Sequence, residues 1–141
     1  MEKRSVFVSF DYENDRRYKH LLEAWSANPK FRFVFSDQTP GEIDTNNVGR
    51  IKAGLTAKIR EATHTLVIVG RYANSPHPKR QLIGYKNWIN FEIAQSKANK
   101  NRLAAIKLDR TYESPDELQG AQASWAMAFA EDAVIRALEQ A

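Results

Sequence analysis

At 141 residues, with 43% apolar and 27% charged residues, the chain has the make-up of one globular domain with one sizeable core, taken here as residues 1–141. The lack of cysteine excludes a disulfide framework and thiolate chemistry, and the lack of any apolar run of about 18 residues excludes a spanning helix. The net charge of +4 favours anionic small molecules or a weak nucleic-acid surface, and with no zinc spacing, recognition helix or block of like charge, nucleic acid is not an expected partner.

The N-terminus, Met1-Glu2-Lys3-Arg4, runs straight into a strand-like segment without the apolar stretch of a signal peptide, so a cytoplasmic location is expected. Ser5 to Phe10 is short, apolar and rich in β-branched and aromatic residues, which predicts a buried strand. Asp11 to Asp15 is polar and reads as a loop, with Asn14 or Asp15 capping a helix from about Asp15 to Ala27. Tyr18, Leu21, Leu22 and Trp25 give that helix its apolar spacing, and Asn28-Pro29 ends it. Phe31 to Phe35 predicts a second strand, and Ser36 to Gly41 a loop with turn chemistry at its end. Ile51, Leu55 and Ile59 recur every four residues and predict a helix over roughly Thr45 to Ala62.

His64 to Gly70 is nearly all apolar, as expected of a central strand with both faces covered. Arg71 to Gly84 reads as a basic loop containing Pro76, His77, Pro78, Lys79 and Arg80. A helix then begins within Tyr85 to Ala94 and ends between Ala98 and Asn101. On it, Trp88 and Glu92 are four residues apart and share one face. A flat ring beside a carboxylate suits a ligand with an aromatic or cationic ring; the same spacing also suits a core helix with a solvated glutamate. Arg102 to Leu108 predicts a fourth strand, Ser124 to Met127 a short edge strand, and Phe129 to Ala141 a closing helix. The three histidines, His20, His64 and His77, have no metal-ligand spacing, so no metal is expected.

Strands and helices alternate throughout, which predicts a mainly parallel sheet of four to five strands between helical layers. Ligands of such folds bind outside the carboxyl ends of the strands. Ser9 to Asp15, Ser36 to Glu42, Gly70 to Tyr85 and the start of the Trp88/Glu92 helix all converge on that edge. A dinucleotide fingerprint is excluded, because the segment Ser9-Phe10-Asp11-Tyr12 after the first strand has no glycine. The same lack excludes a flavodoxin phosphate loop. A receiver domain is excluded because the central strand ends in Gly70 rather than an aspartate.

Four motifs in order carry a resemblance. They are Val6-Phe7-Val8-Ser9-Phe10, Asp37-Gln38-Thr39-Pro40-Gly41, the strand His64 to Gly70, and Trp88-Ile89-Asn90-Phe91-Glu92. Together they resemble the first box, the D-x-x-P-G loop, the central strand and the W-x-x-x-E helix of TIR and TIR-like domains. The likeness spans about Ser5 to Leu108, and the chain looks most like the compact bacterial TIR-like proteins that include the signalling subunit of Thoeris anti-phage systems.

The resemblance implies an α/β, flavodoxin-like three-layer sandwich. It also implies cleavage of the nicotinamide–ribose bond of NAD, as substrate and not cofactor, to give an ADP-ribose-type or cyclic signal. Glu92 is then the catalytic glutamate, Trp88 supports the pocket, and Ser9, Phe10, Asp11 and Tyr12 line it. Self-association through TIR contacts and a downstream effector reached by a diffusible nucleotide are further implied. Two readings stay open beside it: a non-catalytic interaction module, and a binder of a nucleotide signal. Asp11 and Tyr12 either bind ribose or cap the helix. Arg71, Lys79 and Arg80 either approach a pyrophosphate or belong to a solvated loop.

Overall fold

The computed structural model describes residues 3–35 and 46–141. Five parallel strands lie in the order β2-β1-β3-β4-β5: β1 Arg4–Ser9, β2 Phe33–Phe35, β3 His64–Val69, β4 Arg102–Lys107 and β5 Ser124–Ala126. The connecting helices are α1 Tyr12–Ser26, α2 Val48–Glu61, the short α3 Arg80–Ile83, α4 Trp88–Ala98 and α5 Glu131–Gln140. A single 3-10 turn, Asp116–Leu118, lies between β4 and β5. This is the α/β sandwich expected, with a flavodoxin-like strand order.

The strand pattern explains the three layers. Val6, Val8, Phe10, Leu66, Ile68, Ala104 and Ile106 point into one apolar cluster with Leu22 of α1 and Val134 and Leu138 of α5. Their neighbours turn the other way. Phe7 packs with Ile51, Leu55 and Ile59 of α2 and Phe91 of α4, while Val67, Val69 and Ala105 pack with Ile89 and Ile93. Every residue of β3 is buried because both of its faces are covered.

Several boundaries differ from the sequence expectation, each for a local reason. α1 starts at Tyr12, because Asp11 and not Asn14 or Asp15 is the cap: its side chain accepts from the Glu13 N–H at 3.1 Å. The second strand keeps only Phe33–Phe35, and the next helix begins at Val48 behind an Asn47 cap. The stretch 71–84 is not all loop, since α3 closes it and ends on Gly84 at φ +85°, a left-handed cap that glycine adopts without strain. The D-x-x-P-G motif Asp37 to Gly41 and the edge segment Ser36 to Glu42 lie outside the described residues.

The chain leaves β1 toward β2 on one side and returns to β3 on the other. The carboxyl ends of β1 and β3 therefore flank the point where the winding reverses, and a crevice opens there. Among the described residues, no helix is long and apolar enough to cross a membrane.

Candidate active site

A cavity of about 560 Å³ opens at this edge. Three segments line it: Phe10, Asp11, Tyr12, Glu13 and Asn14 from the β1–α1 junction; Tyr72 and Ser75 to Pro78 after β3; and Asn87, Trp88 and Ile89 at the head of α4. Aromatic faces dominate, with Tyr12, Tyr72 and Trp88 beside Phe10 and the imidazole of His77. Such walls suit a planar ring. The His77 and Trp88 rings meet edge to face at 6.5 Å. Partial burial and then Lys79 hold His77 below its usual histidine range, against a weaker pull from Glu13, so it is neutral at pH 7.

Of the sequence-predicted residues, Phe10, Asp11, Tyr12 and Trp88 meet in this cavity. Ser9 and Glu92 do not line it; they lie fully buried behind it, Ser9 just before Phe10 and Glu92 one turn after Trp88. Arg71, Lys79 and Arg80 are exposed and do not line it either. Asp11 is occupied as the helix cap and also accepts from Asn14 Nδ2 at 2.6 Å.

Among the described residues, Glu92 is the most deeply buried carboxyl. It is 1% exposed, and Ser9 Oγ donates to its Oε1 at 2.6 Å. Its Oε2 is buried with no hydrogen-bond partner. Burial raises its pKa from 4.5 to about 8, with the Ser9 hydroxyl pulling weakly the other way. The carboxyl is therefore mostly neutral at pH 7, and a cation brought beside it favours the ionised form. The second carboxyl oxygen is thus a buried acceptor that no side chain or backbone group among the described residues satisfies.

A network of asparagines fixes the head of α4, and nothing in the apolar pattern signals it. Asn87 Oδ1 caps the helix by accepting from the Asn90 N–H at 2.9 Å. Its Nδ2 donates to the carbonyls of Ala73 at 2.9 Å and Ser75 at 3.0 Å. Asn90 Nδ2 donates to Asn74 Oδ1 at 3.1 Å, and Asn74 Nδ2 donates to Asp116 Oδ1 at 2.9 Å. One amide side chain thus ties the wall after β3 to the helix that carries Trp88 and Glu92. The readable signal was an Asn directly before a helix start, the usual capping position.

Among the described residues no three His, Asp or Glu side chains group as a metal site. A comparison with curated proteins gives no match. A family model described as "Thoeris protein ThsB, TIR-like domain" matches residues 7–113, a span that includes the end of β1 from Phe7 to Ser9, the whole cavity lining and the Trp88/Glu92 helix. The chain belongs to the TIR-like domain family of the Thoeris protein ThsB.

Proposed function

We propose that this protein cleaves the nicotinamide–ribose bond of NAD and releases an ADP-ribose-type product, hydrolysed or cyclised, as a signal in anti-phage defence. The observation that carries the reading is Glu92: a buried carboxyl with one oxygen on Ser9 and one unpartnered, one helical turn after Trp88, which itself lines the cavity. The Thoeris family supports the defence setting.

In this reading the nicotinamide ring lies among Phe10, Tyr12 and Trp88. The C1′–N bond breaks and its electron pair leaves with nicotinamide, so the ring becomes neutral. Positive charge develops on the ribosyl carbon, and Glu92 meets it as the carboxylate, by the charge logic that glycosidases use. Water or a substrate hydroxyl forms the new bond to C1′, and its proton passes to the carboxylate. Ser9 keeps Oε1 oriented, so Oε2 is the oxygen free to act. Arg71, Lys79 and Arg80 sit in or beside the segment whose other members line the cavity, and they are the charges available to a pyrophosphate leaving on that side. Reversing Lys79 and Arg80 to glutamate then weakens NAD binding at low salt; unchanged affinity removes that assignment. Self-association through TIR contacts and an effector that reads the product complete the proposal.

One observation favours a second reading. Glu92 does not line the cavity, as suits a binder of a nucleotide signal, or an interaction module, that leaves NAD intact. Nicotinamide release by purified protein, alone and with extract of phage-infected cells, separates them. Release supports the enzyme, and intact NAD under both conditions supports the binder or the module.

A further inference from the structure

Asp15 is a second buried carboxylate at the same edge of the sheet. It lies on the first turns of α1, one residue beyond the cavity-lining stretch Phe10 to Asn14, and its N–H donates to the Asp11 carbonyl at 2.8 Å. The residue is 7% exposed, and its Oδ2 is buried with no hydrogen-bond partner.

What that oxygen touches is Gly70, the residue that follows β3. A β-carbon placed on Gly70 would lie 2.0 Å from Asp15 Oδ2 and 2.7 Å from its Cγ. The carboxylate therefore occupies the space where any other residue at position 70 would hold its side chain. Gly70 is also where the second cavity wall departs: its carbonyl accepts from the Ala73 N–H at 3.3 Å, and Tyr72 and Ser75 to Pro78 follow. Position 70 thus needs glycine for close approach, not for a left-handed backbone.

A carboxylate is a costly way to fill such a space. Burial and then Asp11 push its pKa up to about 6, and Arg17 offsets this only in part. An apolar side chain of similar volume would fill the site without that desolvation. A group kept at this cost beside a cavity is a candidate for function.

We propose that Asp15 is a positioning residue: its carboxylate, seated on the Cα of Gly70, sets where the segment Arg71 to Pro78 leaves β3, and so fixes the spacing between the two cavity walls. The proposal concerns the cavity's shape, and only its turnover readout rests on the NAD reading above.

Amide hydrogen exchange on the full chain tests it, comparing wild type with Asp15→Ala and Asp15→Asn. In Asp15→Ala, residues 71–78 exchange roughly tenfold faster while β3 and β4 keep wild-type protection. Asp15→Asn, with the same shape, keeps wild-type exchange over 71–78. Gly70→Ala lowers the melting temperature, and the double variant Asp15→Ala with Gly70→Ala recovers it, because the smaller side chain leaves room for the new methyl. With NAD, Asp15→Ala raises KM by about tenfold with a smaller change in kcat, as misplaced binding groups do. Wild-type exchange over 71–78 in Asp15→Ala overturns the proposal. So does faster exchange spread evenly over all strands, or a double variant no more stable than Gly70→Ala. If wild type releases no nicotinamide, the NAD reading fails while the exchange result still decides the role of Asp15.

Discussion

Ser9 and Glu92, 83 positions apart in the sequence, are joined by a buried hydrogen bond of 2.6 Å from Ser9 Oγ to Glu92 Oε1. The bond links the last residue of β1 to the middle of α4 across the face of the sheet. It leaves Oε2 as the carboxyl oxygen without a partner.

Removing the hydroxyl tests what that bond does. Ser9→Ala leaves Oε1 buried and unpaired, at a cost of about 1–3 kcal/mol in urea unfolding. The Ser9 bond is also the influence that holds the Glu92 pKa down, so its loss moves that pKa further up. In the NAD reading, the pH at which nicotinamide release is half-maximal rises with it. An unfolding midpoint and a pH profile both equal to wild type would mean that the bond has no role.

Asn87 joins the cavity wall to the head of α4 through four hydrogen bonds. Asn87→Ala removes the helix cap, typically about 1 kcal/mol, and leaves the Ala73 and Ser75 carbonyls without these partners. The summed loss is about 2–3 kcal/mol, and amides of residues 72–76 exchange faster than those of β3. A loss confined to α4, with residues 72–76 as protected as before, would show that the strap to the loop carries no energy.

His64 lies at the opposite end of β3 from the cavity, and its Nε2 is buried without a hydrogen-bond partner. Burial, then Arg102 and Arg4, lower its pKa below 6.5, with a weaker backbone interaction at Leu138 working the other way. The fold holds the neutral ring, so its contribution is complete above pH 6.5 and is lost as pH falls through and below that value. His64→Phe removes this acid-side loss; urea titrations at pH 5 and 7 then differ less than in wild type. An unchanged difference would assign the acid sensitivity to other groups.

The sequence disclosed the fold because its strands are short apolar runs and its helices carry apolar spacing. β3 was plain, since six buried residues in a row leave little else to be. Topology pointed to four edge segments; Ser36 to Glu42 lies outside the described residues, and from the others Phe10, Asp11, Tyr12 and Trp88 do meet in one cavity. The first turn of α1 was hidden because its residues are polar and face the cavity, so the apolar spacing starts only at Tyr18. Asp11, Asn14 and Asp15 are equally good caps by type, and only the backbone decides among them. Asp15 and the asparagines were missed because polar residues are presumed exposed, and burial depends on partners far away in the chain. Arg71, Lys79 and Arg80 drew notice by charge, yet each is exposed and none lines the cavity.

The central claim is that Glu92 is kept buried for chemistry at the expense of stability. Its pKa is raised from 4.5 to about 8 in the fold. The stabilisation this represents is complete below pH 4.5 and is lost as pH rises through about 8. Wild type therefore loses stability across that window by on the order of 1 kcal/mol per pH unit, relative to a variant without the charge. Glu92→Gln keeps the shape and an oxygen for Ser9 but cannot ionise. The measurement is its melting temperature at pH 7.5 and pH 5, paired with nicotinamide release from NAD by mass spectrometry. The account predicts a variant that melts above wild type at pH 7.5, loses most of that advantage at pH 5, and releases no nicotinamide where wild type does. A variant that melts below wild type at both pH values, or that still releases nicotinamide at the wild-type rate, would contradict it.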